Sequence, residues 1–273
     1  SEQAFMTDVK GYIAEPIEID YATKTIFAFF DGDLHKSTDG GRNFYPSMSG
    51  YSGMRSRDYV FDANDPYYLG IAQTDRGFMQ TVDGYLSSEY RPFDYKIVLA
   101  AGRYGGARTV WAAEKDPQNP EHLIICMGGI NSDSIDALKR STDNGKTWSV
   151  IEESTIYTNW GGINRIYFHP QNNKIIYAGY LKSTDGGETW TDLGRMVSAM
   201  SPQNGDIIYS ISGGSNSIVS LSVDGGLTWT NVADGFTSSM RATVDANNPY
   251  ILYTGTFMDG LLKIDAENNT KTY

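Results

Sequence analysis

One cysteine, Cys126 in the apolar run HLIICMGG, leaves no partner for an intrachain disulfide and excludes a thiolate metal cluster or a dithiol redox motif. A buried structural thiol is the expectation. Histidine is nearly as scarce: His35, His122 and His169 are scattered without HxH or HExxH spacing, so no zinc site is expected. The stretch NSDSIDALK has some calcium-loop character but lacks the loop glycine and terminal glutamate. There is no P-loop, no GxSxG and no GxGxxG between a strand and a helix, which sets aside nucleotide-dependent and serine-hydrolase chemistry. No metal and no cofactor are expected.

Long hydrophobic runs are missing too. Nothing approaches the roughly 18 apolar residues of a membrane helix, so no membrane insertion is expected. The opening SEQAFMTDVK lacks the apolar core of a signal peptide, which suggests a mature chain or one excised from a longer protein. Basic residues are outnumbered, 22 Lys and Arg against 33 Asp and Glu, and the net charge of −11 opposes sequence-independent attraction to nucleic acid or an anionic membrane. Runs of strong helix formers are few, whereas 29 Gly, 19 Tyr and 5 Trp suit short strands and tight turns. The 273 residues would fill one large all-β domain or two small ones.

What the chain does have is a repeated phrase. It reads STDGGRNF from Ser37, STDNGKTW from Ser141, STDGGETW from Ser183 and SVDGGLTW from Ser222. A worn copy, TVDGYLSS, begins at Thr81, and KIDAENNTKTY stands where a sixth is due. A second phrase precedes each box: DANDPYYLG at Asp62, DPQNPEHLI at Asp116, HPQNNKIIYAG at His169, SPQNGDIIYS at Ser201 and DANNPYILYTG at Asp245. DYATKTIFA at Asp20 fits the first unit less well. Each unit therefore reads as a strand, a Pro/Asn turn, an apolar strand, a third strand ending in the box, and a last strand opened by the aromatic.

Four antiparallel strands at a period near 40 residues are the signature of β-propeller blades, each of which buries its faces against its neighbours. The expectation is one all-β domain spanning 1–273, with six four-stranded blades at roughly 9–48, 49–92, 93–152, 153–194, 195–233 and 234–273. In the box, the carboxylates of Asp39, Asp83, Asp143, Asp185 and Asp224 are placed to accept successive backbone N–H groups while the glycines take positive φ. The phrase is expected to act as a structural hairpin clasp.

The pattern S/T-x-D-x-G-x-T-W/F resembles the Asp-box, or BNR repeat, of sialidases, xyloglucanases, sortilin-type receptors and a photosystem II assembly factor. The resemblance implies boxes on the turns between third and fourth strands, on the face away from the ligand site. The Pro/Asn phrase is most similar to that of xyloglucanases, sortilins and the assembly factor. Those relatives commonly use more than six blades, which implies either a compact variant or part of a larger multidomain protein or assembly. The first-arginine motif Arg-Ile-Pro of sialidases is absent, and no Tyr/Glu nucleophile pair can be placed. Xyloglucanases set their catalytic acids between two propellers, so that arrangement does not transfer whole.

Ligands of propellers usually meet the channel mouth, at loops leading into the innermost strands and between second and third strands. Four such loops share a layout in which an aromatic precedes an arginine: Tyr51 with Arg55 and Arg57, Tyr104 with Arg108, Trp160 with Arg165, and Phe236 with Arg241. Guanidinium forks bind carboxylate, sulfate or phosphate at two points, and rings beside them stack on sugar faces. The same arginines would serve equally by satisfying backbone carbonyls or a neighbouring blade's aspartate. Asp31, Asp33, Asp75 and Asp259 are candidate catalytic carboxylates on the same expected face, since glycoside hydrolysis needs an acid and a second carboxylate.

The first functional expectation is an extracellular or cell-surface recognition propeller whose central face binds a glycan, acidic ones included, or a protein segment. The alternatives are a glycoside hydrolase of xyloglucanase or sialidase type, and a structural or adhesion module of a surface or viral tail assembly.

Overall fold

The computed structural model describes residues 17–20, 23–30, 33–40, 42, 45–46, 56–62, 64–73, 77–81, 109–128, 137–152, 163, 165–256 and 260–272. They fall into two compact units, one reaching Ile166 and the other running from Tyr167. Among the described residues there is no helix, and every sheet is an antiparallel meander of consecutive strands.

In the first unit, β1 (Ile17–Asp20), β2 (Thr25–Phe30), β3 (Asp33–Ser37) and β4 (Tyr45–Pro46) form one sheet. A second holds β5 (Ser56–Asp62), β6 (Asp65–Gln73) and β7 (Gly77–Thr81), and a third holds β8 (Thr109–Lys115), β9 (Leu123–Gly128), β10 (Ala137–Ser141) and β11 (Ser149–Glu152). The chain passes into the second unit within β12 (Ile166–Phe168), which joins β13 (Ile176–Ala178), β14 (Leu181–Ser183) and β15 (Thr191–Asp192).

The last sheet corrects the expected count. Among the described residues, six sequence repeats build five sheets, because the final two run together into seven strands: β16 (Ala199–Met200), β17 (Ile208–Ile211), β18 (Gly214–Ser222), β19 (Thr230–Val244), β20 (Ile251–Thr256), β21 (Leu261–Asp265) and β22 (Thr270–Thr272). The cause is β19. Its start pairs with β18 and its end with β20, so one 15-residue strand closes the fifth repeat and opens the sixth without a break in pairing.

The second strands of the third, fourth and fifth repeats are apolar runs because both of their faces are covered. Leu123 to Met127, Ile176 to Ala178 and Ile208 to Ile211 are all buried, and Cys126 is a buried cysteine in no disulfide among them. Val60, Phe78, Val110, Leu123 and Ile125 share one core in the first unit; Tyr209, Val219, Phe236, Leu252 and Ile264 share one in the second. Packing is close enough that a Cβ on Gly70 would stand 2.6 Å from Phe78 Cζ.

The box is a closed hydrogen-bond loop. The Ser141 hydroxyl donates to Asp143 Oδ1 at 2.8 Å and accepts from the Gly145 N–H, while Asp143 accepts from the Thr147 N–H at 2.8 Å and the Thr147 hydroxyl at 2.7 Å. Asp185 and Asp224 repeat the scheme with Thr189 and Thr228. This accounts for four fixed letters of the phrase: a buried Ser, an Asp two places on, a Gly whose N–H faces inward, and a Thr with two donors. Asn144 holds φ of 56° where other boxes carry Gly, and its Oδ1 accepts from Lys115. Asp83 lies outside the described residues.

The Pro/Asn phrase has its own lock. Its first residue accepts the N–H groups two and three places on, as Asp116 does from Gln118 and Asn119 and Asp245 does from Asn247 and Asn248. In the second unit these turns are chained together, since Gln171 Nε2 donates to the Gln203 carbonyl at 2.5 Å and Gln203 Nε2 to the Ala246 carbonyl at 2.7 Å.

Candidate functional site

The first strands of successive repeats carry the charged residues that the apolar second strands exclude. Counting back four places from the residue that opens each Pro/Asn phrase gives Asp58, Ala112, Arg165, Val197 and Arg241. In the first unit two of these positions meet. Arg165 Nη1 donates to Asp58 Oδ1 at 3.0 Å and also to Glu18 Oε1, tying β1 and β5 to the residue just ahead of β12. Asp58 is 2% exposed and is further held by the N–H groups of Tyr59 and, through Oδ2, Ala113. A buried carboxylate with a guanidinium and two amides is well satisfied, and removal of any one donor would expose its charge to a poor solvent.

One place nearer the N-terminus in the same register stand Arg57 and Trp111. The guanidinium carbon of Arg57 lies 4.5 Å from the Trp111 ring centroid, a cation–π arrangement between β5 and β8. The Trp111 indole N–H has no acceptor. On the same strand, Glu114 is pushed well above the usual carboxylate range, by burial first and by the neighbouring Asp58 charge second. The cluster therefore combines a carboxyl whose ionisation is disfavoured, a fixed carboxylate and two guanidinium groups, one stacked and one ion-paired. Among the described residues no group of three or more His, Cys, Asp and Glu is placed to hold a metal ion.

Residues 139–150, the third box, match the BNR/Asp-box repeat family. An ancestral GH74 enzyme superposes with a TM-score of 0.70 at 18% identity, over 96% of this chain and 37% of that one. A GH74 enzyme of Niastella koreensis gives 0.65 at 15% identity over 93% and 45%. YCF48 from Cyanidioschyzon merolae gives 0.57 at 11% over 99% and 87%. The fold is a β-propeller that carries an Asp-box repeat. At these identities the likeness speaks for the fold alone, and the propeller spans less than half the length of either GH74 enzyme. No curated protein matches its sequence.

Of the residues singled out in the propeller's sequence, Tyr51, Arg55, Tyr104, Arg108, Trp160, Asp31, Asp75 and Asp259 lie outside the described residues, and Asp33 opens β3 opposite Phe30. Arg57 and Arg165 come together in the first unit with Asp58, but through different contacts. Arg165 is 8% exposed and bound to the propeller's own carboxylates. Phe236 is 4% exposed inside the core of the last sheet, so its ring faces apolar side chains and the Lys271 ammonium 5.9 Å from its centroid. Glu18, Asp58, Trp111 and Glu114 went unmarked in the sequence. The signal available for them was register: charged or indole side chains at fixed offsets in strands otherwise apolar.

Proposed function

We propose that the propeller is a carbohydrate-recognition module of a polysaccharide-active protein, acting outside the cytoplasm. The observation that carries this is the Arg57–Trp111 pair on neighbouring first strands. An indole ring offers a flat apolar face to the C–H side of a pyranose, and an adjacent guanidinium offers directional donors to hydroxyl oxygens. The likeness to GH74 enzymes supports the reading, because those enzymes contain a unit of this fold as part of a longer chain.

The test is calorimetric titration of the purified chain with a panel of neutral and acidic oligosaccharides, guided by a glycan array. Specific binding that Trp111→Ala weakens about tenfold or more, with melting temperature little changed, is the expected result. A blank array from folded protein would overturn it and move the weight to a protein segment as ligand.

A glycoside hydrolase reading draws on one observation, the raised Glu114 carboxyl beside the Asp58 carboxylate held by Arg165, since environments that push two carboxyl groups apart can supply an acid and its partner. Asp58 is already engaged by three donors, so recognition is the better reading. Turnover of any oligosaccharide that Glu114→Gln abolishes would reverse that order.

A further inference from the structure

Arg165 and Arg241 occupy the same register position in the fourth and sixth repeats, four places before the residue that opens the Pro/Asn phrase. Their surroundings are opposite. Arg165 is neutralised by Glu18 and Asp58. For the Arg241 guanidinium there is no hydrogen bond or ion pair among the described residues, although its Nη1 is shut off from water. A partly dehydrated charge without a counter-charge costs free energy that the fold does nothing to offset. In a protein of net charge −11, carboxylates to pair with it are not in short supply.

The backbone beneath Arg241 is irregular in the way that re-aims a side chain. Ser238 pairs with Thr256 and Ala242 with Thr254, so residues 239–241 of β19 stand opposite Gly255 alone. Such a bulge turns the strand and changes where the next side chain projects. It is also pinned, because the buried Thr254 hydroxyl donates to the Arg241 carbonyl at 2.8 Å. The opposing Gly255 has no side chain to crowd the approach.

We infer that Arg241 is the anion contact of the second unit and that it takes the carboxylate of an acidic sugar. The sugar part of this inference rests on the glycan reading above; the anion part does not. A planar carboxylate matches the guanidinium fork and brings a single negative charge, which the acidic surface repels less than it would a phosphate monoester of about −1.5 to −2.

The experiment is an NMR titration of the full chain, observed at arginine Nε–Hε, with glucuronate and separately with glucose, repeated on Arg241→Lys and Arg241→Gln. Glucuronate is expected to shift the Arg241 resonance where glucose at the same concentration does not. Arg241→Gln should weaken glucuronate binding about tenfold or more while Arg241→Lys keeps part of it. Unchanged glucuronate binding by Arg241→Gln would overturn the inference, and a misfolded glutamine variant would leave the lysine variant and the wild-type resonance to decide. If glucuronate binds through Arg241 but no oligosaccharide binds the chain, the anion contact stands and the glycan reading falls. If neutral oligosaccharides bind and glucuronate does not, the glycan reading stands and this inference falls.

Discussion

Lys115 Nζ lies 2.8 Å from Asp62 Oδ2, with both side chains under 10% exposed, and the ammonium also sits 3.6 Å from the centroid of the Tyr68 ring. This joins the first strand of the third repeat to the end of the first strand of the second. The same ammonium donates to Asn144 Oδ1, which belongs to the third box. One buried cation therefore touches a turn phrase, a ring and a clasp.

Lys115→Ala should destabilise the protein by about 3–5 kcal/mol, because it leaves Asp62 buried without its counter-charge. Lys115→Met combined with Asp62→Asn should recover much of that loss. Urea unfolding of the two single variants and the double variant checks this, and a coupling energy near zero would mean that the pair contributes nothing as a pair.

The box aspartates set the acid limb of stability. Hydrogen bonds from the Thr147 side chain and N–H hold Asp143 down to about 2, and those of Thr228 hold Asp224 to about 2; Thr189 and Ser183 depress Asp185 further. A depressed folded-state value means that the stabilisation is complete above the unfolded value near 4 and is lost as pH falls through the folded one. Melting temperature should therefore drop steeply between about pH 4 and pH 2. Asp185→Asn should lower it at pH 7 and flatten that limb.

Glu114 has the opposite sign. Its carboxyl is raised by burial and by Asp58, so the folded state keeps its proton to higher pH than the unfolded chain does. That contribution is complete below the unfolded value near 4.5 and declines as pH rises toward the folded one. Glu114→Gln should raise the melting temperature at pH 7 to 8 and change it little at pH 4. Equal shifts at both pH values would show that the side chain acts through packing rather than through its proton.

The repeats were legible in the sequence because the box and the Pro/Asn phrase are local: Ser141, Asp143, Gly145 and Thr147 close their hydrogen bonds within a few residues. The apolar second strands were legible for a similar reason, since burial on both faces removes the polar alternation. What could not be read was how repeats combine. Nothing local to Thr230–Val244 shows that it continues from one repeat into the next, and the Arg165 contacts reach Glu18 and Asp58 across more than 100 positions. The aromatic-then-arginine layout put Arg165 and Arg241 in one group, each four places before its Pro/Asn phrase. It could not show that, among the described residues, one would find carboxylates and the other none, because the partners come from other repeats.

The unbroken course of β19 has a consequence for how the molecule comes apart. Between β15 and β16, by contrast, residues 193–198 belong to no strand, so one sheet can open while the next stays closed. Here Thr230 to Val244 is shared property, hydrogen-bonded to β18 at one end and to β20 at the other. Amide protons of the fifth and sixth repeats should exchange with solvent deuterium as one cooperative block, a single foldon nearly twice the size of the others.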